Sequence, residues 1–192
     1  PPKPLVRWAA LFHDMGKPDT FFRDKNGIGH MPGHPLASIN HLRKAAKDFH
    51  FGRKRLHDLE LLVRYHDDHP SPTRQDVRIL FAKLEENESL FHTMCDLMRA
   101  DALGQAPFSH KRVKTIDEVE YIFNDMCEKG ICLSAHDLPI TGKDIINLGV
   151  PAGPQVGLLL SEIFAAVAKD TLKPERDKLL TYAKKLISSY KF

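Results

Sequence analysis

Apolar residues recur at helical spacing in nearly every segment of the chain that lies between glycine, proline or polar breaks. Strand signals are scarce, so this pattern predicts an all-α protein. Gly16-Lys17-Pro18 is expected to end the first helix, and a long loop should run from there to about Pro32. Thr115 and Glu118 suit a capping box that opens a later helix. The helices predicted for this part of the chain cover residues 5–14, 35–49, 54–67, 74–86, 88–104 and 115–129, with a connector over 106–114.

The pattern of predicted helices changes after residue 130. A short helix is predicted to begin at Thr141, a longer one after Gly153, and a last one with Pro174 in its first position. Each of the last two repeats apolar residues on one face, which predicts burial of Val156, Leu159, Leu160, Ile163 and Val167, and of Leu179, Leu180, Ala183 and Leu186. We therefore predict two domains: a helical bundle over residues 1–133 and a small C-terminal helical domain over residues 134–192.

Composition excludes disordered, collagen-like and disulfide-scaffold proteins. The 192 residues include 28 Lys+Arg and 25 Asp+Glu, an ordinary globular balance with a net charge of +3. No apolar run approaches the roughly 18 to 20 residues of a membrane span, and no signal peptide is recognisable. We expect a cytoplasmic protein without a membrane partner. An odd number of cysteines favours reduced thiols, although Cys127 and Cys132 with His136 leave zinc as a weaker alternative.

Histidine and aspartate side chains are placed beside apolar helical faces at several points. His13 and Asp14 end the first helix, where burying an imidazole and a carboxylate is costly unless they share a metal or a strong hydrogen-bonding partner. His34 begins the second helix, His66 ends the third, and Asp101 lies late in the fifth. Neutral imidazoles and carboxylates from several helices suit a two-metal site. The alternative is that His13 and Asp14 form a buried structural pair.

These residues carry a resemblance to a known family. The string from Arg7 to Pro18, RWAALFHDMGKP, with Gly33-His34, His66 and Arg99-Ala-Asp101, resembles the HD-domain metal-dependent phosphohydrolases. The sub-type resembles the HD domain of bacterial CCA-adding tRNA nucleotidyltransferases and the related poly(A) polymerases. The stretch over residues 138–157 and the helices after it resemble the C-terminal region of the same enzymes.

The resemblance implies a set of metal ligands. His13 and Asp14 would bind metal, with Asp14 able to bridge two ions, and Asp101 would complete the first ion's shell. His34 and His66 would hold the second ion. The family pattern also has an earlier histidine, and none precedes His13 in this chain. The resemblance therefore implies one or two divalent ions, with Mg²⁺, Mn²⁺, Ni²⁺, Co²⁺, Fe²⁺ and Zn²⁺ not distinguished.

Catalytic roles follow from the same resemblance. Asp14 and Lys17 would be the catalytic residues, with Lys17 holding a phosphate oxygen as a point charge. His30, or Asp67 and His69, would assist proton transfer to the leaving group.

We therefore expect a divalent-metal-dependent phosphohydrolase that uses metal-activated water. Its substrates would be phosphomonoesters, 2′-nucleotides or 2′,3′-cyclic phosphates such as damaged tRNA ends, in tRNA 3′-end processing or repair. Two alternatives remain open. One is a non-catalytic HD-fold spacer and tRNA-binding module, for which the basic runs over residues 43–55 and 110–114 could hold an RNA backbone. The other is a stand-alone HD nucleotide hydrolase.

The start of the sequence adds one expectation. The chain opens with Pro-Pro-Lys-Pro and no initiator methionine, and it has no counterpart of the catalytic Gly-Ser and Asp-x-Asp residues of a nucleotidyltransferase head. We expect such a head upstream in a longer parent protein and no nucleotidyl transfer by this chain itself.

Overall fold

The computed structural model describes residues 3–190 and confirms the all-α prediction. Strands within this range form one short antiparallel pair, in which Phe22 lies opposite His30. The chain divides into two compact units between Phe123 and Asn124, inside the helix α7 (Lys111–Glu128). The domain boundary predicted near residue 134 lies beyond that helix and stays a prediction. No helix in the described range is both long and apolar enough to cross a membrane.

The elements of the first unit follow one another with short connections. They are α1 (Pro4–Phe12), α2 (Lys17–Thr20), β1 (Phe22–Arg23), β2 (Gly29–His30), α3 (His34–Asp48), α4 (Arg53–Tyr65), α5 (Arg74–Lys83), α6 (Glu88–Gly104), the 3₁₀ helix η1 (Pro107–His110) and α7 (Lys111–Glu128).

Helix α1 is the centre of the first unit because it packs against α3, α4 and α6. Its residues Ala9 and Phe12 are almost completely buried. This packing holds the C-terminal end of α1 between three other helices, so the residues that follow Phe12 emerge inside the bundle. On the far side of α6, the rings of Phe91 and Phe123 stack with centroids 4.0 Å apart. Those two rings are fully buried and fix α7 against α6.

Two local predictions for this unit are wrong. The long loop expected after Gly16 contains helix α2 and the β1–β2 hairpin, because Pro18 suits the first turn of a new helix as well as it ends the old one. The capping box expected at Thr115 does not form. Helix α7 already begins at Lys111, so Thr115 lies within the helix and the predicted connector ends as η1.

The second unit is built around an apolar core. Its elements are the remainder of α7, the 3₁₀ helix η2 (Ala135–Asp137), α8 (Gly142–Asn147), α9 (Pro154–Ala168) and α10 (Arg176–Ser189). Thr141 opens α8 as predicted, with Asp144 accepting a hydrogen bond from its backbone N–H at 2.7 Å. Helix α10 begins at Arg176, later than the predicted start at Pro174. The predicted apolar faces line the core, which buries Leu159, Ile163, Val167, Leu179 and Ala183 completely or nearly so.

Candidate metal centre

Three histidines in the first unit share one local arrangement. The Nδ1 atoms of His13, His34 and His66 lie 2.8, 3.1 and 2.7 Å from backbone carbonyl oxygens three residues earlier in the chain. Because a carbonyl only accepts, each Nδ1 must carry the proton and donate it. Each Nε2 therefore presents a lone pair. This tautomer is the one that metal-binding histidines adopt when the other ring nitrogen is fixed by a hydrogen bond.

The ends of helices bring these rings together. His13 follows the last residue of α1, His34 is the first residue of α3, and His66 follows the last residue of α4. Gly33 precedes His34 with a φ of +73°, in the left-handed region that favours glycine. The chain can therefore turn sharply into α3 and place His34 at its first position. All three rings are largely buried.

Asp14 lies between the three imidazoles. Its Oδ1 is 3.4 Å from Nε2 of His34 and 3.6 Å from Nε2 of His66. Its Oδ2 is 3.2 Å from Nε2 of His13 and 2.5 Å from Nζ of Lys17. One carboxylate oxygen thus faces the His34–His66 pair and the other faces His13.

Asp101 reaches the same cluster from α6. Its Oδ1 lies 3.3 Å from Nε2 of His13. Its Oδ2 accepts a hydrogen bond from Nε2 of Gln105 at 2.8 Å and one from Nη1 of Arg112 at 3.4 Å. We call the five residues whose atoms converge here the donor cluster: His13, Asp14, His34, His66 and Asp101.

The donor cluster has bonding capacity that the protein does not satisfy. Nε2 of His13 and Oδ1 of Asp14 are buried without a hydrogen-bond partner. The Nε2 atoms of His34 and His66 lie 3.3 Å apart, and with both Nδ1 atoms protonated, two lone pairs face each other. Buried polar atoms without partners are costly in a folded protein. A cation shared by these atoms would remove the cost.

The spacing of the donor atoms also suits a metal ion. Donors held about 2.1 Å from one tetrahedral or octahedral ion lie about 3.0 to 3.4 Å apart, close to the 3.2 to 3.6 Å found between Asp14 and the three imidazoles. His13, Asp14 and His66 form a group whose ligand atoms lie close enough together to hold one ion. The Nε2 atoms of His34 and His66 also lie within 3.3 to 3.6 Å of each other and of Oδ1 of Asp14. Imidazole with carboxylate suits several first-row divalent ions, so the donors alone do not select one.

Charge states in the cluster fit metal binding as well. Burial alone would raise the pKa of Asp14, but the hydrogen bond and the positive charge of Lys17 lower it below its ordinary value, so the carboxylate is ionised. Burial lowers the pKa of His66, so this imidazole stays neutral near pH 7. A deprotonated carboxylate and a neutral imidazole are the forms that coordinate metals.

Ser38, which no sequence motif marked, and Gly16 hold the loop that carries His13 and Asp14 in place. Ser38, completely buried on α3, donates from Oγ to the carbonyl of His13 at 2.7 Å and accepts from the N–H of Gly16 at 2.8 Å. A Cβ at Gly16 would come within 2.4 Å of the Ser38 backbone nitrogen, so only glycine allows this approach. The available signal was a serine one helical turn after His34, on the buried face of α3.

The remaining residues predicted for the site lie in other surroundings. His30 pairs with Asp24 at 3.0 Å within the β1–β2 hairpin and is largely exposed. His69 lies 3.7 Å from Asp67 and accepts a hydrogen bond from Arg112. Of the two cysteines in the zinc alternative, Cys127 is exposed and Cys132 is buried, with its thiol donating to the carbonyl of Asp137 at 3.6 Å.

The first basic run is partly neutralised by acidic neighbours. Arg43 forms two hydrogen bonds with Glu60, at 2.7 and 2.8 Å, and Lys54 lies 2.8 Å from Asp58. These pairs join or cover α3 and α4, so the surface over residues 43–55 carries less free positive charge than the sequence suggests.

Comparison with known proteins identifies the family. Residues 2–120 match the family model of the HD domain, which is more than half of the chain. The chain belongs to the HD domain family. The part of the chain that matches contains every residue of the donor cluster. HD domains bind divalent metals, in agreement with the unsatisfied donor atoms found here.

Relatives of this HD-domain chain are tRNA nucleotidyltransferases. The chain is 27% identical to the CC-adding tRNA nucleotidyltransferase of Thermus thermophilus over 95% of its length and 41% of the relative. It is 27% identical to mouse mitochondrial CCA tRNA nucleotidyltransferase 1, over 78% of the chain and 37% of the relative. It is 24% identical to the CCA-adding enzyme of Lactococcus lactis, over 79% and 40%. The chain thus spans about two fifths of the length of these relatives. No solved structure matches it significantly.

Proposed function

We propose that this chain is a divalent-metal-dependent phosphohydrolase of the HD domain family. The observation that carries the proposal is the convergence of three Nε2 lone pairs and two carboxylates in one buried cluster, with bonding capacity that the protein leaves unmet. A purely structural cluster of buried polar groups would satisfy its own hydrogen bonds.

The ligand roles are assigned from the geometry of Asp14. Its Oδ1 faces His34 and His66, and its Oδ2 faces His13, which in turn lies beside Asp101. We propose that all five residues of the donor cluster hold metal and that Asp14 bridges when two ions bind. A divalent ion held there would activate water for attack on a phosphoester and offset the negative charge that develops in the reaction.

The protein's own groups complete the chemistry. Hydrolysis breaks the bond between phosphorus and the leaving oxygen, forms a bond from phosphorus to a water oxygen, and requires a proton for the leaving alkoxide. Lys17, at the first position of α2 and paired with Asp14, puts a cation at the edge of the donor cluster where a phosphate oxygen would bind. His69 and Asp67 lie on the loop after His66 and are the nearest candidates in sequence to supply the proton.

We propose phosphate esters at RNA ends, including 2′-nucleotides and 2′,3′-cyclic phosphates, as the substrate class. Support comes from the Thermus and mouse relatives, whose names describe tRNA nucleotidyltransferases. The similarity to the Thermus protein extends over 95% of the chain, so it continues beyond the HD domain into the second unit.

Metal-dependent hydrolysis is the direct test. The chelator-treated protein is assayed with adenosine 2′,3′-cyclic phosphate and adenosine 2′-monophosphate, with Mg²⁺, Mn²⁺, Co²⁺ or Ni²⁺ added. We expect hydrolysis with at least one ion and none with Asp14→Asn, while His110→Gln, which changes an exposed histidine outside the donor cluster, retains activity. No hydrolysis with any ion, or equal hydrolysis by Asp14→Asn, would contradict the proposal.

A second function, tRNA binding without catalysis, is favoured by one observation. The sequence shared with the tRNA nucleotidyltransferases includes the second unit, which has no part in the donor cluster. In this case tRNA affinity would fall steeply with salt concentration and would be unchanged in Asp14→Asn. Affinity that does not respond to salt would exclude it.

A further inference from the structure

A cavity of about 320 Å³ lies next to the donor cluster, and Arg112, which lines the cavity, is hydrogen-bonded to Asp101 of that cluster. Arg112 contacts Oδ2 of Asp101, while the other oxygen of that carboxylate faces His13 in the donor cluster. One carboxylate therefore separates the cavity from the candidate metal ligands. A molecule in this cavity would lie beside any phosphate bound at the cluster.

The polar side of the cavity is held in a fixed arrangement. Nη2 of Arg112 lies 3.1 Å from Nδ1 of His69. Arginine only donates, so Nδ1 of His69 accepts and its proton lies on Nε2, the side facing Asp67. This is the opposite tautomer to that of the three donor histidines, so His69 belongs to the cavity wall and not to the donor cluster. The Arg112 guanidinium is three-quarters buried and planar, which suits it to bind phosphate oxygens in pairs.

The rest of the cavity lining is mostly apolar, apart from Asp68, Ser71 and Thr115. Met98 and Ile116 are buried side chains that form part of its wall, and Pro70 and Pro72 line it from the loop after His69. Proline fixes its own φ, so this loop has few alternative conformations. The volume lies at the small end of the range for ligand cavities, about 300 to 1,000 Å³. A charged group with a small, mostly apolar cavity beside it matches a phosphate joined to a nucleoside.

We propose that this cavity binds the nucleoside of the phosphoester substrate, with Arg112 holding a phosphate oxygen. The proposal rests on the proposed phosphohydrolase function and adds the site that would recognise its nucleotide substrates in preference to simple phosphate esters. Arg112 is then a substrate-binding residue, and the apolar wall gives the preference for a nucleoside.

The test measures binding without metal or turnover. Wild-type protein in chelator is titrated by calorimetry with adenosine 2′-monophosphate and, separately, with inorganic phosphate. We expect the nucleotide to bind at least about tenfold more tightly than phosphate. Arg112→Gln should weaken nucleotide binding at least about tenfold, because hydrogen bonds to charged groups contribute roughly 1.5 to 3 kcal/mol. Lys114→Gln, on the same helix but 85% exposed and outside the cavity, should stay within about twofold of wild type.

A second variant tests the cavity itself. Thr115 lines the cavity, and Thr115→Trp should weaken nucleotide binding while leaving phosphate binding unchanged, with circular dichroism confirming the fold. Equal affinity for nucleotide and phosphate, or unchanged nucleotide affinity in Arg112→Gln, overturns the proposal. Because these measurements use no metal, they separate the two claims. Hydrolysis without this binding pattern overturns only the nucleoside cavity, and nucleotide binding without hydrolysis overturns only the phosphohydrolase function.

Discussion

Helix α6 carries two clusters of polar side chains that differ in how completely they are paired. In the first, Arg99 contacts Asp117 at 2.7 Å, Asp96 at 3.3 Å and Glu120, and so joins α6 to α7. Lys3 adds a second cation 2.6 Å from Asp96. In the second, Asp101 faces the imidazole of His13 in the donor cluster.

The polar groups around Arg99 have hydrogen-bond partners, whereas the donor cluster keeps buried atoms without partners. Burial alone would lower the pKa of Arg99, but the hydrogen bonds to Glu120 and Asp117 raise it above its ordinary value, so this arginine stays charged and paired. In the donor cluster, a buried nitrogen of His13 and a buried oxygen of Asp14 have no hydrogen-bond partner. The comparison teaches that a cluster of buried polar residues is not in itself a sign of function. Unmet bonding capacity that converges on one point is the stronger sign.

The largest expected effect is the loss of metal binding in Asp14→Asn. This change removes the charged group that faces all three imidazoles. Removing an outer partner of a metal ligand costs 10–100-fold in affinity, so removing a central ligand should cost more than about 100-fold. Calorimetric titration with Mn²⁺ measures it, and Asp96→Asn, in the satisfied cluster, is the matched control. Equal metal affinity in the two variants would remove the distinction between the clusters.

An intermediate effect is expected for Ser38→Ala. The variant leaves the buried N–H of Gly16 without its partner and frees the carbonyl of His13. We expect the free energy of unfolding to fall by about 1 to 3 kcal/mol and metal affinity to fall by about 10-fold. Urea unfolding and metal titration of one sample measure both quantities. A loss of stability with unchanged metal affinity would show that Ser38 supports the fold alone.

A smaller effect, limited to stability, is expected for Arg99→Met. Three carboxylates lose their central cation, but two of them are at least one-third exposed and water screens much of the loss. We expect about 2 kcal/mol of destabilisation, below the 3 to 5 kcal/mol found for breaking fully buried pairs. Metal affinity should remain within about twofold of wild type when measured well below the unfolding midpoint. A tenfold loss of affinity would mean that the two clusters on α6 are coupled.

The smallest effect concerns a satisfied pair in the second unit. The hydrogen bond from Arg176 and that from the Thr141 backbone lower the pKa of Asp144 to about 2. Its contribution to stability is fully present above the ordinary value of 3.8 and is lost as pH falls from there through about 2. Asp144→Asn should therefore be less stable than wild type at pH 6, with the difference vanishing near pH 2. Denaturant unfolding across this range measures the difference, with Asp177→Asn as control. A constant difference at all pH values would contradict the pairing.

Helix positions could be predicted well from the sequence because the apolar period directly reports which face is buried. The apolar faces of α9 and α10 are examples. Element starts were predicted less well where one residue serves two purposes. Pro18 was expected to end the first helix, which already ends at Phe12, and instead lies in the first turn of α2. Thr115 resembles a cap but lies inside α7. Local sequence is compatible with both positions of each residue, at a helix end and inside a helix. Packing against neighbouring helices in the folded bundle selects one of them.

For the candidate site, the residue types were visible in the sequence and their environment was not. His13, Asp14, His34, His66 and Asp101 were predicted from the family resemblance, and the structure brings their side chains together. The roles of Ser38 and Arg112 depend on contacts between residues far apart in the chain, at separations of 22 and 43 residues. No local pattern encodes such contacts. The ligand roles themselves remain a proposal until metal binding is measured.

The most direct test of the central claim is a Co²⁺ titration of the chelator-treated protein followed by visible absorption. Coordination by imidazole nitrogen and carboxylate oxygen shifts and strengthens the ligand-field bands relative to those of Co²⁺ in buffer. We predict bands that saturate at one or two ions per chain and disappear in Asp14→Asn but not in Asp96→Asn. The absence of saturable bands in wild type, or bands of equal strength in both variants, would contradict the assignment of the donor cluster as a metal centre.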